Sequence, residues 1–466
     1  MLSRQLYSRL REAILSGALR SGEKLPSTRD VADQLGVSRT VVLLAYDQLL
    51  AEGYAEGRAG SGTYVSSGIG AGRSVAPITP IKPRLSSFGL SAAAAWSRVN
   101  LPGLDKRALP YDFAYGRSDV SIFPFEMWRR ILLRSARKAS VSSLDYGPAP
   151  GDLALREAIC DHLRRSRAVV SDPSQIIIVN GSQQALDLIA RVLIPPGTRI
   201  AVEDPSYQGT REVLTVAGAR LVAAPVDRDG LNPAKLPRDA ALAFVTPSHQ
   251  FPTGAILPFA RRIELLAWAK RNNSLIVEDD YDGEFRYAGQ PLESLQGLDR
   301  EGRVIYIGTF SRTIFSALRI GYLIAPKSLT TAFAAAKWLA DRHTASLEQR
   351  ALAEFISSGM YERYLRRVRR RNAALRDALL DSIHQHIGDR AELTGDGAGA
   401  HVVLWPTKKK VSEDEIVVAA ASRGVGVYGI APYSLKKPRR SGIMLGYSRL
   451  TVSQIREGIR RLAEVL

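Results

Sequence analysis

Short apolar runs alternate with helical stretches along most of this chain, from about residue 111 to the C-terminus. Seven of the runs have the length and composition of buried strands. They cover residues 176–179, 200–202, 221–224, 242–245, 275–277, 304–307 and 322–324. Amphipathic helical stretches, such as 259–271, separate several of these strands. The alternation predicts an α/β domain in which helices cover both faces of a mainly parallel sheet.

Polar side chains follow several of the predicted strands. Ligands of parallel α/β sheets bind beyond the carboxyl ends of the strands, so these positions predict a binding site. Gly181 and Ser182 open a helix whose free amides favour phosphate. Arg312 stands in the turn after strand 304–307, and Arg319 follows it. The remaining polar stretches are 203–207, 246–254 and 278–285. Each stretch alone is compatible with an ordinary loop, and it is their number and order that argue for a ligand site.

The first 65 residues predict three short helices and a two-stranded β wing. Ser27 and Asp30 have the spacing of a capping box at the start of the second helix, and Gly36 ends that helix. Ser38 is a suitable N-cap for the third helix, whose first turn would meet phosphates and base edges. Arg58 lies near the glycine-rich tip of the wing, where a cation would enter a minor groove or meet phosphate. These elements predict a DNA-binding domain.

The charge of the chain agrees with a polyanionic partner, since 64 Lys and Arg against 46 Asp and Glu give a formal net charge of +18. One cysteine, Cys160, excludes an intrachain disulfide framework and fits a reducing compartment. No opening apolar segment has the pattern of a signal peptide, and no uncharged run is long enough to span a bilayer. We therefore expect a cytoplasmic protein without a membrane partner.

Three segments follow from these patterns. We predict a winged helix-turn-helix domain at residues 1–67, a linker at 68–110 and a ligand-binding domain at 111–466. Residues 66–83 are rich in Gly, Ser, Ala and Pro, a composition that buries too little apolar surface to fold by itself. A flexible tether would let the DNA-binding heads adopt more than one spacing.

The first segment closely resembles the winged helix-turn-helix of the GntR family. The resemblance rests on LPSTRDVADQLGVSRT at 25–40 and EGYAEGRAGSGTYV at 52–65, and it extends over almost every residue from Leu6 to Val65. It implies double-stranded DNA as a partner. The residues that it assigns to DNA contact are Arg29, Ser38, Arg39, Thr40, Arg58 and Gly62.

The alternating segment resembles the aminotransferase-like domain of the MocR branch of the GntR regulators over nearly its full length. VIYIGTFSRTIFSALRIG at 304–321 is similar to the cofactor-lysine segment of that family. The resemblance implies a fold type I pyridoxal-phosphate transferase-like domain with a smaller C-terminal α+β subdomain. It also implies pyridoxal 5'-phosphate as a cofactor, and a regulator that forms a head-to-tail homodimer and senses a small-molecule effector.

The same resemblance implies roles for individual residues in the cleft. Tyr207 would stack on the pyridine ring, Tyr281 would bond its phenolic oxygen, and Asp279 would pair with the ring nitrogen. Asp280 stands beside Asp279 and leaves that assignment open by one position. The expected phosphate ligands are Ser182, Gln183, Thr309 and Arg319. An arginine for a substrate carboxylate would come from Arg439 or Arg440, with Arg449 as a weaker candidate.

Arg312 occupies the position at which the family carries the lysine that bonds covalently to the cofactor. A guanidinium stays charged in proteins and forms no comparable imine, so we expect no covalent cofactor and no catalytic residue. Three possibilities follow for the cleft. It holds pyridoxal phosphate or its amino form without a bond, it binds another anionic small molecule that Arg312 grips bidentately, or it is empty and structural.

We therefore expect a DNA-binding transcription regulator without transaminase activity. One alternative is a pyridoxal-phosphate-dependent aminotransferase with an appended DNA-binding domain, which turnover of any amino acid with added cofactor would reveal. Another is a basic scaffold that binds DNA without an effector, whose footprint no metabolite would change. No metal site is expected from the sequence.

Overall fold

The computed structural model describes residues 2–68, 83–98, 109–140, 145–287, 293–407, 412–436, 438 and 440–466. The chain divides into two units, Met1–Arg84 and Leu85–Leu466. Most of the predicted linker, 68–110, lies outside the described residues, and its described part includes a helix at Ser87–Trp96. None of the described helices combines the length and low charge needed to cross a bilayer.

The first unit consists of three helices and a β hairpin. The helices are α1 (Leu2–Leu15), α2 (Thr28–Leu35) and α3 (Arg39–Ala51). Strands β1 (Ala55–Arg58) and β2 (Gly62–Val65) pair antiparallel and form the predicted wing. The first unit is therefore the winged helix-turn-helix that the sequence predicts.

Local signals fix the ends of α2. The Ser27 hydroxyl accepts a hydrogen bond from the Asp30 amide at 3.2 Å, and Gly36 ends the helix with a φ of 64°, a conformation that favours glycine. The helical pattern of the sequence predicts that Leu15 faces inward, but this residue, the last of α1, is 42% exposed. The core between the helices and the wing contains Tyr7, Ile14, Leu25, Val31, Val42, Tyr46, Leu49 and Val65.

The second unit is built on an eight-stranded sheet of the order β4-β11-β10-β9-β8-β5-β6-β7. A short strand, β3 (Tyr111–Asp112), precedes it. The sheet strands are β4 (Ile176–Val179), β5 (Arg199–Asp204), β6 (Arg220–Asp227), β7 (Gly230–Leu231), β8 (Leu242–Val245), β9 (Leu275–Asp280), β10 (Val304–Thr309) and β11 (Gly321–Ile324). Strands β6, β5, β8, β9 and β10 are parallel, and β11 runs antiparallel to both of its neighbours. All seven predicted strands are confirmed.

Helices cover both faces of this sheet, as predicted. Ile176 and Ile178 of β4 pack in one apolar cluster, and Ile177 and Val179 pack in another on the opposite face, because successive side chains of a strand alternate. The helices of the unit are α4 (Ser87–Trp96), α5 (Phe125–Arg137), α6 (Leu153–Arg167), α7 (Ser182–Leu193), α8 (Gln208–Val216), α9 (Phe259–Arg271), α10 (Leu295–Leu298), α11 (Thr330–Asp341), α12 (Ser346–Ser357), α13 (Met360–His386), α14 (Glu413–Ser422) and α15 (Val452–Leu462).

The C-terminal part forms a smaller α+β subdomain around a second, antiparallel sheet. This sheet has the order β12-β13-β16-β15, and β14 pairs instead with β3. The strands are β12 (Ala391–Thr394), β13 (His401–Pro406), β14 (Val425–Gly426), β15 (Tyr428–Gly429) and β16 (Ile443–Gly446). The predicted fold class, a winged helix-turn-helix followed by a mainly parallel α/β domain and an α+β subdomain, is confirmed.

Candidate functional site

The predicted DNA-contacting residues at the helices lie at the N-terminal ends of α2 and α3. Arg29 is in the first turn of α2, Ser38 is the N-cap of α3, and Arg39 and Thr40 begin α3. All four are exposed, and the Arg39 Nε donates to the Thr28 hydroxyl at 3.3 Å, which links the two helix ends. Free amides and guanidinium groups at this end form a surface that attracts phosphate.

The remaining two predicted DNA residues face each other across the wing. Arg58 pairs with Gly62 in the hairpin register. The Arg58 guanidinium lies 4.4 Å from the centre of the Tyr64 ring, and the Lys24 ammonium lies 5.9 Å from the same ring. Sequence reasoning did not assign Lys24, although its place two residues before Pro26, ahead of α2, was a signal that it flanks the helix-turn-helix. Arg58 of the wing and Lys24 ahead of α2 thus lie over the same aromatic ring, and Arg58 also forms an ion pair with Glu56 at 2.7 Å.

The cleft of the second unit has an anion-binding end at the start of α7. Gly181 precedes the helix with a φ of 83° and offers no side chain to cap its free amides. The Arg319 guanidinium donates to the Asn180 carbonyl at 2.6 Å. A Cβ atom on Gly181 would lie 2.9 Å from the Arg319 Nη2. Glycine is therefore required for Arg319 to lie over the helix end, next to Ser182. Both features favour a bound phosphate.

A pair of hydroxyl residues lies in the turn after β10. The Thr309 hydroxyl accepts a hydrogen bond from the Ser311 amide at 3.2 Å. The Ser311 Oγ is buried and has no hydrogen-bond partner among the described residues. Buried hydroxyl groups are nearly always paired, so this atom is suited to a ligand. The sequence analysis gave Ser311 no role, although its position directly before Arg312 was an available signal.

Two adjacent carboxylates of β9 point to opposite faces of the sheet. Asp280 accepts hydrogen bonds from the Arg167 Nε at 2.7 Å and from the Tyr306 hydroxyl at 2.5 Å. The Asp279 Oδ1 is buried and has no hydrogen-bond partner among the described residues. Burial, followed by the charge of Asp280, raises the pKa of Asp279 to about 7. The Asp280 Oδ1 is also buried without a partner, but Asp280 is held through its Oδ2, whereas Asp279 has no hydrogen-bond partner among the described residues.

Tyr207 and Gln183 converge beside Gly209. A Cβ atom on Gly209 would lie 2.4 Å from the Tyr207 Cε1 and 2.7 Å from the Gln183 Oε1. The Tyr207 ring meets Phe251 edge to face, with 6.0 Å between the ring centres. Burial raises the pKa of the Tyr207 hydroxyl, and the charges of Asp279 and of the cleft arginines act on it as well. Tyr207 is thus close enough to Asp279, Arg312 and Arg319 for their charges to affect its pKa.

Tyr281 belongs to a buried polar network. His249 Nδ1 lies 2.9 Å from the Tyr281 hydroxyl and 2.8 Å from the Asp282 carboxylate. The His401 Nε2 donates to the Pro252 carbonyl at 2.9 Å, and burial lowers the pKa of His401 to about 3. Ligating atoms of both histidines and Asp282 lie within 4.8 Å of one another, and the buried His249 Nε2 has no hydrogen-bond partner among the described residues. The network positions the Tyr281 hydroxyl.

The Arg312 side chain lies in the cleft beside Gly116 and Tyr281. A Cβ atom on Gly116 would lie 2.4 Å from the Arg312 Nη1, and the guanidinium carbon is 5.9 Å from the centre of the Tyr281 ring. Arg312 forms no hydrogen bond or ion pair with any residue that the structure describes. A guanidinium carries five N–H donors, so it can bind an anion here. Gly116 thus leaves room for the Arg312 guanidinium, a role that only the structure shows.

The arginine candidates for a substrate carboxylate differ in their surroundings. Arg440 forms an ion pair with Glu392 at 2.8 Å, and its guanidinium lies 5.4 Å from the centre of the Trp405 ring. Arg449 is exposed, and Arg439 lies outside the described residues. Arg440 is thus already engaged by neighbouring side chains.

Two family matches divide the chain in the same way as its fold. Residues 2–65 match the bacterial regulatory proteins of the gntR family, and residues 117–465 match aminotransferase class I and II. The fold and the matches define a class, that of DNA-binding transcription regulators in which a winged helix-turn-helix is joined to a domain of the aminotransferase fold.

The relatives narrow this class. The chain is 39% identical to the probable rhizopine catabolism regulatory protein MocR of Rhizobium meliloti, over 99% of this chain and 93% of that protein. It is 35% identical to the pyridoxine biosynthesis transcriptional regulator PdxR of Corynebacterium glutamicum, over 95% of this chain and 91% of that protein. Kynurenine aminotransferase of Pyrococcus horikoshii, solved with PMP, matches 82% of this chain and 95% of its own at 26% identity and a TM-score of 0.72. The chain belongs to the MocR branch of the GntR regulators.

Proposed function

We propose that this transcription regulator senses a small anionic ligand of the pyridoxal-phosphate class, which its aminotransferase-like cleft holds without a covalent bond. One observation carries the proposal. The cleft contains a buried carboxylate oxygen, Asp279 Oδ1, and a guanidinium, Arg312, and neither has a hydrogen-bond partner among the described residues. Buried polar groups without partners are rare in folded proteins and are suited to a ligand that satisfies both.

The residues of the cleft fit pyridoxal phosphate. When bound, this group supplies a ring nitrogen, a phenolic oxygen and a phosphate, which require an anionic, a polar and a cationic partner. Asp279 would accept a hydrogen bond from the ring nitrogen, Tyr281 would bond the phenolic oxygen, and Tyr207 would stack on the ring. The expected phosphate partners are Ser182, Gln183, Thr309, Ser311 and Arg319. A relative named as a regulator of pyridoxine biosynthesis supports this ligand class.

Arg312 separates this protein from a working transaminase. In place of a lysine amine, a guanidinium neither attacks an aldehyde nor shuttles a proton, because it stays protonated. Arg312 would instead add positive charge beside the phosphate or carboxylate of the ligand. We therefore propose a sensor domain without transaminase activity.

We further propose that the exposed N-terminal ends of α2 and α3, together with the wing, bind double-stranded DNA in the cytoplasm, through Arg29, Ser38, Arg39, Thr40, Arg58 and Gly62. A head-to-tail homodimer would place two heads on paired half-sites. The ligand changes transcription only if it binds two arrangements of the dimer with different affinity.

An absorbance titration with pyridoxal phosphate tests the ligand proposal, with the unchanged protein and the Arg312→Lys variant side by side. We expect saturable binding with free-aldehyde absorbance for the unchanged protein, and an added imine band for the variant, because lysine restores the missing amine. Absence of binding to either protein would contradict the proposal and leave another anion, or no ligand, for the cleft.

A DNA footprint with and without pyridoxal phosphate tests the regulatory part. We expect the footprint to change at ligand concentrations that saturate the absorbance signal. A footprint that never changes would favour the scaffold alternative, and amino-acid turnover with added cofactor would favour the enzyme.

A further inference from the structure

A second cavity lies in the aminotransferase-like unit, on the α6 side of the central sheet. It has a volume of about 430 Å³, within the range of small-molecule sites. Arg165 and Arg167 reach it from α6, Arg369 from α13, and Arg286 from the segment after β9. Four cationic side chains therefore line one cavity.

This cavity is separate from the predicted cofactor cleft. Arg167 binds Asp280, which points to the sheet face opposite Asp279. The segment after β9 divides the two sites, because Tyr281 and Asp282 line the cleft whereas residues 283, 284 and 286 line the cavity. An occupant of the cavity would thus bind different side chains from an occupant of the cleft.

The charges around the cavity do not balance. Asp280 neutralises Arg167 at 2.7 Å, and Glu362 neutralises Arg369 at 3.3 Å. Arg165 and Arg286 form no ion pair or side-chain hydrogen bond with the described residues. Two positive charges therefore lack a counter-charge.

The other acidic group of the cavity does not supply the missing charge. Burial, followed by the charge of Asp280, raises the pKa of Glu284 to about 8, so this carboxyl is mostly protonated at neutral pH. A protonated carboxyl can donate a hydrogen bond to an anion instead of repelling it.

Two buried polar atoms at the cavity also lack partners. The His162 side chain is 6% exposed, and its Nε2 has no hydrogen-bond partner among the described residues. The Arg286 Nε is buried and equally without a partner in this part of the chain. Burial and the charges of Arg165 and Arg369 lower the pKa of His162 to about 4, so the imidazole is neutral and has one N–H group to donate.

From this arrangement we propose that the cavity between α6 and α13 is a second binding site, specific for a small dianion such as a phosphate monoester or a dicarboxylate. Arg165 and Arg286 supply two positive charges that would balance the two negative charges of the anion. His162 and Arg286 line the cavity and supply donors to the oxygen atoms of the anion. The cavity is a candidate site for a second effector.

Calorimetric titration of the full-length protein with inorganic phosphate tests this site, with chloride keeping the ionic strength constant. Arg286→Gln and Arg165→Gln each remove one uncompensated charge, and Arg165 is exposed, so its replacement leaves the core intact. Arg367→Gln is the matched control, since Arg367 is an exposed residue of α13 that does not line the cavity. Arg319→Gln replaces the guanidinium that lies over the start of α7, where the proposed cofactor phosphate would bind.

We expect Arg286→Gln and Arg165→Gln to weaken one phosphate-binding event by roughly tenfold each, the effect of losing a charged hydrogen bond. Arg367→Gln should bind as the unchanged protein does, and the event should persist in Arg319→Gln. Unchanged binding in both cavity variants, or an equal loss in Arg367→Gln, would overturn the proposal. Loss in Arg319→Gln alone would also overturn it and assign the phosphate to the cofactor cleft.

Discussion

Asp279 and Asp280 are neighbours in one strand, but they have different partners. Asp280 is used within the protein, because it neutralises Arg167, which is 5% exposed. Each carboxylate has one buried oxygen without a hydrogen-bond partner among the described residues, but Asp280 is held through its other oxygen and Asp279 is not. The alternation of side chains along β9 thus separates a structural carboxylate from one that is free for a ligand.

This difference predicts that Asp280→Asn mainly reduces stability, whereas Asp279→Asn mainly weakens ligand binding. Asp280→Asn should lower the free energy of unfolding by about 3 kcal/mol, because it leaves the Arg167 charge buried without a counter-charge. Asp279→Asn should leave the free energy of unfolding within about 1 kcal/mol and weaken pyridoxal phosphate binding about tenfold, since an amide cannot balance a ring cation. Urea unfolding and the absorbance titration measure the two effects. Equal losses of stability would contradict the assignment.

Single elements bring the anion-binding groups together. The N-terminal end of α7 offers free amides because Gly181 gives it no side-chain cap, and the segment between β10 and β11 brings Arg319 over that end. The start of α8 places Gly209 against Tyr207. Glycine is needed at these contacts because any larger residue would occupy the space of the functional side chain.

Gly209→Ala tests the role of this close approach. The new Cβ atom would lie 2.4 Å from the Tyr207 ring, so the ring must move out of its position. We expect pyridoxal phosphate affinity to fall about tenfold. The displaced Tyr207 ring would lose its stacking contact, and the displaced Gln183 side chain would lose its hydrogen bond to the phosphate. Gly89→Ala in α4 is the control, because its Cβ atom would make only ordinary contacts of 3.5 Å or more. Equal affinity of the two variants would exclude Tyr207 from ligand binding.

Over the whole molecule, the excess of positive charge is distributed among separate surfaces. In the first unit, cations lie at the ends of α2 and α3 and on the wing. In the second unit, α13 buries its apolar residues and exposes Arg363, Arg366, Arg367 and Arg370. Net charge therefore predicts a polyanionic partner, but it does not by itself identify the contacting surface.

The salt dependence of DNA binding separates contact from net charge. Arg58→Ala should weaken binding to nonspecific duplex DNA and reduce the slope of log K against log salt by about 1, because one phosphate contact is lost. Arg220→Ala removes the same charge from an exposed position at the start of β6 and should leave the slope unchanged. Fluorescence anisotropy over a salt series measures both. Equal slopes for the two variants would show that Arg58 makes no phosphate contact.

The amino-acid sequence alone determined the strands, the helix caps and the class of the protein. Buried strands need local apolar runs, and a cap such as Ser27 needs only its own turn, so both are visible over a few residues. The motifs are equally local, and their order along the chain is sufficient to indicate the MocR branch.

Only the tertiary structure decided which polar groups lack partners. The sequence left Asp279 and Asp280 open by one position, and in the structure Asp280 is the one of the two that forms an ion pair with Arg167. The contact of Arg312 with Gly116 and the position of Arg286 beside α6 join segments far apart in the chain. Such contacts depend on how packed elements approach one another, a property that local sequence does not encode.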